Sequence, residues 1–241
     1  MKIHSDEKRP EREKYSMGRM IYHGSAVVVS SPEFGKGRKD NDFGCGFYCT
    51  EDKELAQEWA AADENGGFLN CYEIEDAGME HFDLVLADEK NRETEVLQWI
   101  AVLLDNRNLR LGSPVEKRGK EYILSQYLPV LSGYDYLVGY RADDSYFSFA
   151  RAFLSNTITV GQLSAAMHFG DLGSQYVLKS KKMFEKIRFL EAVPVNGAEY
   201  YPRRRKRDES ARGKYRKMLE EESADGLYLN MLISRDKGKT V

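Results

Sequence analysis

The chain has 241 residues, 41% of them hydrophobic, enough to bury a core without disulfide or metal staples and suited to one large domain or one domain with a helical appendage. Its 36 basic and 39 acidic residues leave a formal net charge of -3, which argues against a protein that wraps nucleic acid with its whole surface. No run reaches the roughly 18 apolar residues of a membrane span, residues 1–14 lack the apolar centre of a signal peptide, and Cys45, Cys49 and Cys71 lack the paired spacing of a zinc site, so the reading is cytoplasmic, with reduced thiols and no metal.

Residues 1–17 are charge-rich and read as a flexible tail. Residues 20–23 look like a short strand, followed by β-branched Val27, Val28 and Val29 and a loop over 31–41 rich in Gly, Lys, Arg and Asp. Residues 47–49 suit a short strand leaving a glycine turn. Thr50 is an expected N-cap for a helix over 51–62, in which Leu55, Trp59 and Ala62 recur at helical spacing. A strand over 68–74 leaves a Gly-Gly turn, and 92–107 is the clearest helix, with Val96, Leu97, Ile100, Leu103 and Leu104 on one stripe.

A shorter helix is expected over 122–128, stopped by Pro129, then a strand over 136–140. Asp143 or Asp144 is placed to cap a helix carrying Tyr146, Phe147, Phe149 and Phe153, and Thr159 to cap another running to Phe169. Strands over 175–178 and 187–193 flank a helical turn at 181–186. A charged helix over 209–222 and an apolar segment at 227–233 close the chain. Short strands among helices of unequal length lack the regular alternation of a doubly wound sheet, so the fold class is α+β. The expected division is a tail (1–17), one main domain (18–195) and a basic C-terminal helical extension (196–241).

Three separated motifs carry chemistry: Tyr22-His23-Gly24-Ser25, Asp42-Phe43-Gly44-Cys45-Gly46-Phe47-Tyr48, and Gly173-Ser174-Gln175-Tyr176-Val177-Leu178. Each alone has a plain structural explanation. In this order and with these flanks they resemble the His-Tyr-Glu class of ADP-ribosyltransferases, the poly(ADP-ribose) polymerase and diphtheria-toxin side of that superfamily. That class has a His-Gly-Ser/Thr on its first strand, a Gly-x-Gly-x-Tyr turn before a helix, and a glutamate opening a late strand. The chain resembles still more closely an uncharacterised bacterial family assigned to that superfamily, through Asp-Phe-Gly-x-Gly-Phe-Tyr, Arg141-Ala142-Asp143-Asp144 and Tyr200-Tyr201-Pro202-Arg203-Arg204.

The resemblance implies a fold of split antiparallel sheets with helical insertions and a C-terminal helix. It also implies NAD as the substrate, with cleavage at the nicotinamide–ribose bond. Gly24 can present backbone N–H and C=O to the nicotinamide carboxamide at close range, Tyr48 can stack on the ring, and Trp59 falls where relatives carry a second aromatic wall. His23 is implied to bond a ribose hydroxyl, with Ser25 a further polar contact and Phe43 and Gly44 part of the cofactor-binding turn. Bond cleavage passes through an oxocarbenium-like ribose, whose charge the family's glutamate offsets. Gln175 keeps the shape without the charge and cannot act as a base. The expectation is therefore mono-ADP-ribosyl transfer from NAD to an unknown macromolecular acceptor, with NAD hydrolysis or nucleotide binding without catalysis as alternatives.

Glu73, Glu75 and Asp171 are weighed as stand-in carboxylates; the two glutamates read better as a solvated strand face. Lys36, Arg38 and Lys39 offer a clamp for the pyrophosphate, though charged loops are usually only solvated. Five consecutive basic residues, 203–207, could touch nucleic-acid phosphates or an acidic partner, or simply face water beside Asp208, Glu209 and 220–222. His168 reads as core or cap, and His4 and His81 have no visible partner.

Overall fold

A computed structural model of the protein describes residues 18–84, 92–142, 146–169, 173–220 and 226–238. The expected tail with His4, the proposed caps Asp143 and Asp144, the candidate carboxylate Asp171 and residues 221–222 lie outside the described residues, as do the side chains of Tyr146 and Phe147.

Period-two alternation of apolar residues builds two sheets. The first joins β1 (Arg19–Ser25), β3 (Gly67–Ile74) and β7 (Ile187–Val195) in the order β1-β3-β7, all antiparallel. The second contains β2 (Phe47–Cys49), β4 (His81–Leu84), β5 (Tyr136–Tyr140) and β6 (Ser174–Leu178), in the order β2-β6-β5-β4. Only its β4–β5 pair is parallel. Tyr22 and Thr50 exchange two backbone hydrogen bonds, 2.8 and 2.9 Å, and so tie the edge of the first sheet to the end of β2. Around the sheets lie α1 (Lys53–Ala60), α2 (Arg92–Asn106), α3 (Pro114–Tyr127), α4 (Tyr146–Leu154), α5 (Val160–Ala166), α6 (Lys181–Phe184), α7 (Gly197–Glu220) and α8 (Leu229–Lys237). The class is α+β.

Alternation also sorts the faces. Ile21 and Tyr72 from one sheet meet Tyr136, Val138, Tyr176 and Leu178 from the other in a core between the sheets. The intervening residues Leu137 and Val177 face the larger core, filled by the buried stripe of α2 with α4 and α5. On the outer side of the first sheet, Leu69 and Cys71 pack against Ala56 and Ala60 of α1 and Tyr200 of α7. Tyr48, beside Val177 in the β2–β6 register, and Gln175, two residues before Val177, therefore share the helix-facing side of the second sheet.

Several local expectations are corrected. Asp52, not Thr50, caps α1, its carboxylate accepting from the Leu55 N–H at 3.0 Å; Thr50 is held in the bridge to Tyr22. Helix α3 begins eight residues before the expected Tyr122, at Pro114, with a reciprocal capping box between Ser113 and Glu116. Strand β4 was not foreseen, because four residues of mixed polarity carry no periodic signal. Helix α7 starts at Gly197 rather than Glu209 and runs through Pro202. An interior proline costs a helix about 3 kcal/mol, but burial of Tyr200 and the ion pairs from α7 to Glu54 and Glu58 of α1 hold the segment helical. Thr159 caps α5 as expected, with Gln162 closing its box. Among the described residues, no helix is long and apolar enough to cross a membrane.

Candidate functional site

The cleft forms where β1 runs past the end of β2. Strand alternation sends the N–H and C=O of Tyr22 to Thr50, so those of Gly24, two residues along the same edge, point the same way, past β2. A side chain at Gly24 would place its Cβ 1.9 Å from the Ala56 carbonyl oxygen, so glycine is also what lets α1 pack against the strand.

His23 Nδ1 lies 2.7 Å from the Tyr48 carbonyl oxygen. A carbonyl only accepts, so Nδ1 carries the proton and the neutral ring offers Nε2 as an acceptor. Burial pushes the imidazole pKa down, against the Tyr48 hydrogen bond, and favours this neutral form. The ring leans on Phe47 at 4.6 Å between centroids.

The glycine turn before β2 is braced from two directions. Gly44 adopts φ +74°, the left-handed region that glycine tolerates. The Tyr48 hydroxyl donates to the Gly44 carbonyl at 2.6 Å and accepts the Phe43 N–H at 3.1 Å. Lys179 donates to the Phe43 and Cys45 carbonyls at 2.8 and 2.7 Å. Burial raises the Tyr48 phenol and lowers the Lys179 ammonium pKa. Phe43 is 2% exposed, its ring filling the space over Gly139. Phe43 and Gly44 thus set the turn's shape.

That turn delivers Asp42 to Gln175. Both are buried, and Gln175 Nε2 donates to Asp42 Oδ2 at 3.2 Å. The same oxygen accepts the Ala142 N–H at 3.0 Å, while Arg107, just past α2, lies 3.5 Å from Oδ1. Burial raises the Asp42 pKa, opposed by Arg107, the Ala142 N–H, Gln175 and Arg141. The pair puts a buried carboxyl within hydrogen-bonding reach of the residue that itself lacks one.

His23, Gly24, Tyr48, Trp59 and Gln175 line one cavity of about 350 Å³, together with Asp42 and with arginines 107, 141 and 204. The volume falls within the range of roughly 300–1,000 Å³ usual for small-molecule sites. The Arg141 guanidinium lies 4.5 Å from the Trp59 ring centroid and covers one face of the indole. Among the described residues the buried Trp59 Nε1–H has no acceptor, an arrangement that costs about 1–3 kcal/mol.

The remaining expected contacts sit elsewhere. The Ser25 hydroxyl donates to the Val27 carbonyl at 2.6 Å and accepts from Asn70. Glu73 pairs with Arg188 and Glu75 with Lys186, away from the cavity. Lys36 pairs with Glu33 and Arg38 with Asp40, both exposed. His168 Nε2 lies 3.2 Å from the Tyr140 hydroxyl oxygen, and His81 stacks on Tyr136. The basic run belongs to α7, and its Arg204 reaches the cavity.

Sequence reasoning treated Asp42 only as part of a turn motif and passed over Arg107. The aspartate beside the glycine turn was a usable signal; nothing local marks an arginine at a helix end as its partner. Comparison with curated proteins and with solved structures returns no match. Residues 19–189, from β1 into β7, match the family described as "Protein of unknown function (DUF3990)". The match spans well over half of the chain, which therefore belongs to the DUF3990 family.

Proposed function

We propose that the cleft binds NAD and transfers its ADP-ribose to a macromolecular acceptor, releasing nicotinamide, on a fold of the ADP-ribosyltransferase type. The observation that carries this reading is convergence. Five residues singled out by resemblance, spread over about 150 positions, line one cavity. The two sheets meeting at the Tyr22–Thr50 bridge are compatible with the split-sheet arrangement that the resemblance implies.

The chemistry of the lining fits the substrate. Gly24 offers edge backbone groups to a carboxamide, and Tyr48 offers a ring fixed by its hydroxyl. The neutral His23 offers Nε2 to a ribose hydroxyl. As the ribose C1′–N bond breaks, its electron pair leaves with nicotinamide and positive charge develops on the ribose. The acceptor's lone pair then forms the new bond to C1′, and its proton leaves. Asp42 supplies the negative charge that Gln175 cannot, and Gln175 positions that carboxyl. Burial raises the Asp42 pKa, which makes its carboxylate a better proton acceptor than an exposed aspartate.

A second reading, NAD binding without turnover, is favoured by Arg107 beside Asp42, which offsets part of its charge. Incubating purified protein with NAD separates the readings. Nicotinamide release that needs cell extract indicates a transferase, and release without extract indicates hydrolysis. Binding without release indicates a binding module, and no NAD binding removes the proposal.

A further inference from the structure

A second cavity of about 230 Å³ adjoins the first and shares Trp59, Arg141 and Arg204 with it. Its outer wall is α7, which lies beyond the residues matched by the family. The charges of that wall are unevenly spent. Arg207 makes two 2.8 Å hydrogen bonds to buried Glu58, Arg212 pairs with Asp208 at 3.0 Å, and Arg205 with Glu209 at 3.7 Å. Arg204 is half-buried at the junction of the two cavities, and among the described residues it makes no ion pair. Asp208, one turn further along the helix, is engaged by Arg212. At the same junction the buried Trp59 Nε1–H has no acceptor among the described residues.

Among the described residues, a half-buried guanidinium without an ion pair stands beside an N–H without an acceptor, and both call for anionic oxygens. The planar fork of arginine matches a phosphate better than a single-point cation does. We propose that Arg204, with Arg141 and the Trp59 indole, forms a subsite for a diphosphate at the junction of the two cavities. Naming that diphosphate as the one in NAD rests on the function proposed above; the anion chemistry does not. On this assignment α7 completes the ligand site from outside the matched family region, and the basic run has a specific member with a task.

Titration calorimetry on the full chain, with ADP-ribose and nicotinamide riboside as probes, tests the assignment. Arg204→Gln should weaken ADP-ribose binding by about tenfold or more, the loss expected for a charge-assisted hydrogen bond. Nicotinamide riboside, which has no phosphate, should keep its affinity, and Arg204→Lys should recover part of the loss for ADP-ribose. Because Arg204 holds no ion pair in the described fold, thermal melts of the variants should match the native protein, which separates binding from folding. An ADP-ribose affinity unchanged in Arg204→Gln, or no ADP-ribose binding by the native chain, overturns the subsite. ADP-ribose bound through Arg204 while nicotinamide riboside fails to bind would leave the subsite standing and count against the NAD reading instead.

Discussion

Gln175→Glu restores the residue that the resemblance calls for, and sequence alone predicts a gain in activity. The structure predicts otherwise. Gln175 Nε2 lies 3.2 Å from Asp42 Oδ2, so a glutamate sets one carboxylate against another. Two unit charges at that separation repel by about 5 kcal/mol at an effective dielectric near 20. Arg107, 3.5 Å from the other Asp42 oxygen, offsets part of this. The cheaper outcome is one proton shared by the pair near neutral pH. That proton is bound in the folded state and released on unfolding, so the variant's stability should fall as pH rises above about 5. Asp42 alone follows the same sign, since its folded pKa is raised: its favourable contribution is present in acid and lost as pH rises through that pKa. Asp42→Asn removes the charge and should slow nicotinamide release by about 10²–10³, the scale for losing one electrostatic group at a reacting centre. The double variant, Asp42→Asn with Gln175→Glu, transposes carboxylate and amide and should recover much of that loss. The assay is nicotinamide release from NAD across pH, alongside thermal melts. Native-rate release by folded Asp42→Asn, or a Gln175→Glu protein whose stability ignores pH, would refute the reasoning.

Further outcomes follow from the same geometry. Tyr48→Ala should weaken NAD binding by about 1–3 kcal/mol through loss of the stack, whereas Tyr48→Phe should keep the ring yet lower stability by about 1–3 kcal/mol, because the Gly44 carbonyl and the Phe43 N–H lose their partner; titration and chemical denaturation distinguish the two. Burial depresses the His23 pKa, so acidification protonates the unfolded chain first. The His23 contribution is therefore present above about pH 6.5 and lost as pH falls, and His23→Gln should remove that slope from a stability–pH profile. Gly24→Ala should prevent folding or lower the melting temperature sharply, since its Cβ would stand 1.9 Å from the Ala56 oxygen; a native-like melt would show that α1 can move aside.

Sequence by itself determined the strongly periodic parts of this protein. The α2 stripe, the β3 and β5 strands and the Thr159 cap are local patterns, and each formed near its expected place. The glycine turn was equally legible, because a tight turn through positive φ calls for glycine and Gly44 supplies it. Where burial opposes local preference, sequence misled: α7 persists through Pro202 because Tyr200 and Glu58 hold it from a distance. Short β4 carried too few residues for any period to show, and only its parallel pairing with β5 makes it a strand. The candidate site divides in the same way. His23, Gly24, Tyr48, Trp59 and Gln175 were marked by motif, but their meeting at one cavity depends on strand pairing across the chain. Asp42 against Gln175 joins residues 133 apart, and Arg204 reaches the cleft only because α7 folds back over α1. Contacts of this kind join distant residues, so only the tertiary structure decides them.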